Sequence, residues 1–152
     1  MPAKQTKSKT KTKSKKAPNY IYAVGRRKRA IARVRLYPRK NKKDKGLDLI
    51  VNSKQVEEYF HNTLSKYRYT QPLRLTNSTD KYSITAKIIG SGPRSQLDAL
   101  IHGISRALIK NDEDLKPVLK KHGLLTRDPR KKQRRMIGTG GKARRQKQSP
   151  KR

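Results

Sequence analysis

The sequence contains no cysteine, no tryptophan and a single phenylalanine. Without cysteine there is no disulfide framework, no thiolate metal ligand and no thiol nucleophile. Carboxylates are scarce too, ten Asp and Glu in 152 residues. A metal centre acting on phosphates needs converging carboxylates, and only Glu57-Glu58 and Asp112-Glu113-Asp114 are clustered. The second cluster reads as a helix cap and the first as an exposed helix face. His61, His102 and His122 share no metal-ligand spacing; His102 reads as a flank position on a helix and His122 as a helix C-terminal cation. No apolar run approaches the roughly 18 residues of a membrane span. Neither a secretory h-region, a sustained amphipathic basic helix nor a lipidation motif is present. These absences argue against an enzyme, a metal or cofactor, and a membrane partner.

Cations are what the chain has in excess. Lys and Arg number 42, for a formal net charge of +32. A compact protein with this much like charge strains against its own repulsion. A polyanion relieves that strain, and nucleic acid does so while releasing condensed counterions. Hydrophobic residues make up only 31% of the chain. The expectation is therefore a core-forming middle flanked by segments that do not pack on their own.

The pattern divides the chain into three. Residues 1–18 are a basic low-complexity N-terminal extension, mostly Lys, Thr and Ser, expected to be disordered when free. Residues 19–125 carry the patterned core. Residues 126–152 form a basic C-terminal tail with twelve Lys and Arg and one Asp. Fully extended, that tail would reach roughly 90 Å, at about 3.3 Å per residue, enough to follow a groove closed to a globule.

Within the core, Tyr20–Val24 reads as a strand, broken at Gly25-Arg26-Arg27-Lys28-Arg29 by a turn and a charge cluster. Ala32, Val34 and Leu36 then alternate with Arg33 and Arg35, the period of a half-buried strand with one basic face. Pro38–Gly46 is a Lys-rich loop, Leu47–Val51 a third strand and Val56–Phe60 a short helix. Residues 61–79 show no clear period and predict helix fragments broken at Pro72. Tyr82, Ile84, Ala86 and Ile88 alternate on one strand face. Gly90-Ser91-Gly92-Pro93 turns into the clearest helix, with Leu97, Leu100, Ile101, Ile104 and Leu108 in one apolar stripe. A last helix follows, acidic at its start and basic at its end, with Pro117 in its first turn, Leu115, Val118 and Leu119 on its buried side, and Gly123 as its stop.

Two motifs fail on inspection. Gly138-Thr139-Gly140-Gly141-Lys142 lacks full phosphate-loop spacing, has Ala143 where Ser or Thr is required, and follows no apolar strand. Asn77-Ser78-Thr79 matches a glycosylation acceptor but has no secretory context. The cations are different. They gather at the early strand turn, on one strand face and in both ends of the chain, with few acids among them. Arginine, the residue suited to forked phosphate contact, stands at Arg26, Arg27, Arg33, Arg35, Arg134, Arg135, Arg144 and Arg145. Lys28 and Arg29 complete the turn cluster. Arg127, Arg130, Lys131, Lys132 and Lys142 extend the track along the tail. All are candidate RNA-phosphate contacts.

Four stretches resemble one family, the ninth protein of the small ribosomal subunit. Tyr22-Ala23-Val24-Gly25-Arg26-Arg27-Lys28-Arg29-Ala30-Ile31-Ala32-Arg33-Val34 is similar to its opening strand-turn-strand. Gln96, His102-Gly103-Ile104 and Arg106-Ala107-Leu108 fit its long helix. Leu124-Leu125-Thr126-Arg127-Asp128-Pro129-Arg130 resembles the junction before its tail most specifically. Lys142-Ala143-Arg144-Arg145 with Ser149, Lys151 and Arg152 resembles the tail. The resemblance spans about Asn19 to Arg152 and takes a bacterial or organellar form. The extension at residues 1–16, Gln148 and Pro150 depart from the family pattern.

The resemblance implies an α+β fold like the second domain of the fifth small-subunit protein, a four-stranded sheet with helices on one face. It implies a structural constituent of the small-subunit head, bound to ribosomal RNA beside neighbouring head proteins. It also implies a tail tip, Lys151 and Arg152, close to P-site transfer RNA. The N-terminal cations are all lysine and show no amphipathic period, so a cytoplasmic ribosome is expected rather than an organellar one. The rival reading is an architectural protein that compacts nucleic acid, and sequence composition alone does not separate the two.

Overall fold

The computed structural model describes residues 19–39 and 46–134. The N-terminal extension, the loop tip at 40–45 and the tail beyond Arg134 lie outside these residues. So do the expectations for Arg135, Gly138–Lys142, Arg144, Arg145, Lys151 and Arg152.

The first hairpin pairs β1 (Ile21–Arg27) with β2 (Ala30–Pro38) in antiparallel register, Arg27 opposite Ala30 and Val24 opposite Arg33. The turn is only Lys28-Arg29, with Lys28 at φ +51°. The expected break at Gly25 is therefore displaced, because β1 runs straight through it. Gly25 is in the strand for a packing reason: a Cβ there would collide with the Ala99 carbonyl and the Gly103 backbone of the long helix. Glycine lets helix and strand approach this closely.

Beyond β2 the sheet continues with β5 (Tyr82–Ile89), then β3 (Asp48–Val51), then β4 (Lys54–Gln55). Among the described strands only the β3–β5 pair is parallel. The expected four-stranded sheet thus has a fifth member, the two-residue β4. It exists because Asn52 and Ser53 both take positive φ and fold β3 back on itself in two residues, the geometry hairpins favour. Asn52 extends the ladder: its side chain donates to the Ile88 carbonyl at 3.0 Å and accepts from the Ile88 N–H at 2.9 Å.

Strand alternation holds as read. Ala32, Val34, Leu36, Ile84, Ala86 and Ile88 are buried, whereas Arg33, Arg35 and Lys87 are exposed on the other face. The helices cover the apolar face alone. α1 (Val56–Tyr59) is one turn. α2 (Thr63–Leu75) is continuous, which overturns the expected break at Pro72. Pro72 stands in its last turn and gives up one bond, the N–H that residue 72 would donate to the Arg68 carbonyl, and it is fully buried in one row with Tyr69 and Leu73. The Asn62 side chain caps the helix by accepting from the Leu64 N–H at 2.9 Å.

α3 (Pro93–Asn111) is the central core element and packs across β1 and β2. Leu97, Leu100, Ile101, Ile104 and Leu108 are buried as its stripe predicts, each stabilising by about 1.5–3 kcal/mol. A 3₁₀ turn, Glu113–Leu115, leads into α4 (Lys116–Lys121). Asp112 caps that turn by accepting from the Asp114 N–H at 3.1 Å. Leu119 is buried and Leu115 partly so, but Val118 is exposed, contrary to expectation. A helix of six residues has one buried row, and Val118 falls off it. Gly123, at φ +69°, ends α4. Its N–H donates to Lys120 and the Leu124 N–H to Leu119, the paired bonds of a left-handed helix stop.

Candidate nucleic-acid interface

The pleat sorts the early cation cluster. Arg26 points outward, and Lys28 and Arg29 are exposed at the hairpin tip. Arg27 shares the parity of Ala23 and Gly25, so it turns to the helix side, where its side chain is only 16% exposed. There it meets two aspartates. Its Nε lies 3.6 Å from Asp98 of α3, and its guanidinium lies 3.0 Å from Asp128 of the tail junction. It also donates to the Arg130 carbonyl at 3.1 Å. Arg27, expected among the phosphate contacts, makes these contacts within the protein.

Asp98 and Asp128 each have a second arginine. Arg68 of α2 reaches Asp98 at 2.8 Å, and Arg130 grips Asp128 at 2.8–3.1 Å through Nε and a terminal nitrogen. The Arg130 N–H also donates to Asp128 Oδ1 at 2.9 Å, closing a turn over Pro129. The Arg130 contacts, with Arg27 behind them, hold the Asp128 carboxyl well below the usual carboxylate range. The Asp-Pro-Arg sequence thereby fixes the direction in which the chain leaves the core.

His102 forms the second tie. Its Nδ1 accepts from the Arg26 N–H at 3.3 Å, and its Nε2 faces the Leu125 carbonyl at 3.2 Å. The ring bridges β1 to the start of the tail in one protonation state, neutral with hydrogen on Nε2. Burial, helped by the positive charge of Arg106, lowers its pKa. It does more than the flank position read from sequence.

Asp98, His102, Arg106 and Lys110 recur every four residues and so form one row along α3. Arg106 donates to the Val24 carbonyl at 2.6 Å and Lys110 to the Tyr22 carbonyl at 3.0 Å. With His102 on Arg26, the row satisfies alternate backbone groups of the outermost strand. Sequence reasoning missed this. Two signals carried it: polar residues at every fourth position beside the apolar stripe, and the strand parity of Arg27.

The remaining described candidates face solvent. Arg33 and Arg35 stand on the open sheet face, and Arg127, Lys131, Lys132 and Arg134 follow the junction. A cleft beside the clamp is lined by Arg26, Lys28, Arg94 and Arg127, none ion-paired among the described residues. Arg94 was not singled out from sequence. Among the described residues no group of three His, Asp or Glu is placed to hold a metal ion. No described helix is long and apolar enough to cross a membrane.

The described residues thus form a small α+β domain with helices on one sheet face, cations on the other and a basic segment tied at its root. The family model for ribosomal protein S9/S16 matches residues 25–152, and the chain belongs to that family. It is a structural protein of the small ribosomal subunit, and its family is structural rather than enzymatic.

Proposed function

We propose that the chain binds small-subunit ribosomal RNA in the head, with residues 19–125 as a docking body and residues 126–152 as a strand laid along RNA. The observation that carries this reading is the clamp on residues 125–130. A charged strand tied to a folded body by Arg27, Asp98 and His102 leaves in one direction, which favours binding to a shaped polyanion over loose compaction. Arg26, Lys28, Arg29, Arg33, Arg35 and Arg127 supply phosphate contacts from the body. Lys131, Lys132, Arg134, Arg135, Lys142, Arg144 and Arg145 supply them along the strand, and Arg130 adds a partial contact beyond its bond to Asp128. Lys151 and Arg152 then sit where a second RNA, the P-site transfer RNA, can be touched. Neighbouring head proteins complete the surroundings, on a cytoplasmic ribosome.

Sedimentation of a cell extract tests the assignment. Stoichiometric migration with the small subunit is expected; a spread over bulk DNA overturns it in favour of an architectural compacting protein. Chemical probing of reconstituted subunits tests the contacts, since Arg33→Gln with Arg35→Gln should expose RNA positions that the unaltered protein protects.

A further inference from the structure

The sheet face opposite the helices carries side chains that the clamp and the core do not use. Tyr22, Arg33, Arg35, Tyr37 and Lys87 line one open groove with Tyr20. The rings of Tyr20 and Tyr37 lie 5.4 Å apart, and the Arg35 guanidinium rests 5.2 Å above the Tyr20 ring. Tyr22, on the adjacent strand, is 42% exposed.

We infer that this face is a stacking platform for unpaired RNA, with bases laid on Tyr20, Tyr22 and Tyr37 and phosphates met by Arg33, Arg35 and Lys87. The inference rests on the RNA-binding reading above and names the form of RNA that one surface takes. Three physical points carry it.

First, the face is cationic with little to oppose it. Among the described residues no carboxylate lines the groove, and Asp48 at its margin is already engaged by the Ser83 hydroxyl and by Arg39 at 3.9 Å. The centre of a protein interface is depleted of charge, so paired arginines favour a polyanion over a protein neighbour.

Second, the planar groups are in place before binding. Arg35 and Tyr37 hold Tyr20, so little side-chain freedom is lost when a base arrives. Alternate residues on one strand lie about 6.6–6.8 Å apart and adjacent strands about 4.8 Å apart. That grid spreads rings and cations over several nucleotides.

Third, the combination selects strand form. Aromatic faces take splayed bases, which a paired A-form helix does not present. A face built only for duplex phosphates would have no use for three tyrosines.

The test uses the full chain, a short fluorescent oligouridine and an RNA duplex of equal length, with affinity read by anisotropy. The variant is Tyr20→Leu with Tyr22→Leu and Tyr37→Leu, which keeps apolar bulk and removes the rings; its melting temperature checks the fold. Stacking is worth about 1–3 kcal/mol per base, so a loss of about tenfold or more is expected for the single strand, with duplex affinity changed by less than about twofold. In parallel, a thiouridine oligomer should photocrosslink to this face in the unaltered protein, so a poorly folded variant does not leave the inference without a test. Equal losses on both RNAs would make the face a plain phosphate track and overturn the platform. So would unchanged binding with no crosslink on the face, which points to a protein neighbour there. Failure of the unaltered chain to bind either RNA would instead sink the RNA-binding reading itself.

Discussion

Gly103→Ala sets helix propensity directly against packing. Gly103 lies inside α3, where alanine is intrinsically better by about 1 kcal/mol. Sequence reasoning alone therefore predicts a more stable protein. The structure predicts the opposite. A Cβ on residue 103 would stand 2.7 Å from Val34 Cγ2 and 3.2 Å from the Gly25 nitrogen. Carbon atoms settle at about 3.5–4.0 Å, so Val34 or the helix must move by most of an ångström. Val34 is fully buried and cannot swing into solvent. Overpacking of this kind typically costs about 1–3 kcal/mol, occasionally more.

After the helix gain is subtracted, the expected net effect is a loss of up to about 2 kcal/mol. For a domain of this size each kcal/mol lowers the melting point by about 4–8 °C. Calorimetry and urea unfolding of the full chain would read it. Val34→Ala removes the opposing methyl groups, so the double variant should be less destabilised than the sum of the singles. The shift should also be felt at the tail, because the His102 bond to the Arg26 N–H lies one residue from the Gly25–Gly103 contact. A higher melting point for Gly103→Ala would refute the reasoning, and additive singles would show that Val34 is not what the new methyl meets.

Other consequences are as direct. Because His102 is neutral in the fold and its pKa is lowered, the unfolded chain takes up its proton first as pH falls. Its contribution to stability should therefore be intact above the ordinary histidine range, decline below about pH 6.5 and level off only beneath the lowered value; His102→Gln should remove that slope in urea titrations, and an unchanged slope would clear His102. The Tyr69 hydroxyl is buried with no hydrogen-bond partner among the described residues, so Tyr69→Phe should be neutral or stabilising by up to about 1–2 kcal/mol, whereas clear destabilisation would reveal a bridging water. Deleting Lys151 and Arg152 should leave subunit assembly nearly intact yet weaken P-site transfer RNA binding by about 1 kcal/mol; equal filter binding to reconstituted subunits at low and moderate salt would remove the tip from that site. Arg144→Ala with Arg145→Ala should weaken RNA binding most at low salt and make its fall with rising salt shallower, because two phosphate contacts and the counterions they release are given up; a salt slope equal to that of the unaltered protein would clear the pair.

The elements most legible in the sequence were those with one period and one kind of residue. Ala32, Val34 and Leu36 alternate with arginines, and the α3 stripe is leucine and isoleucine throughout. α2 was not legible because its buried row is Tyr69, Pro72 and Leu73, with a phenol and a helix breaker where aliphatic residues usually stand. Gly25 was misread for a related reason. Glycine in a run of cations looks like a turn, but its role comes from a helix more than seventy residues away in sequence. The cation cluster after it looked uniform and is not, since pleating turns Arg27 inward while its neighbours stay out. Val118 shows the limit of charge order as a guide, which located α4 without fixing its buried side.

The row of His102, Arg106 and Lys110 has a consequence for the life of the chain before assembly. A sheet border with unclaimed N–H and C=O groups invites another strand, and a newly made subunit protein meets many copies of itself. Here α3 side chains occupy the Tyr22 and Val24 carbonyls and the Arg26 N–H on β1, and the opposite border ends in a β4 only two residues long. Neither side offers a full-length template for strand addition, so copies awaiting RNA have little means of joining sheet to sheet.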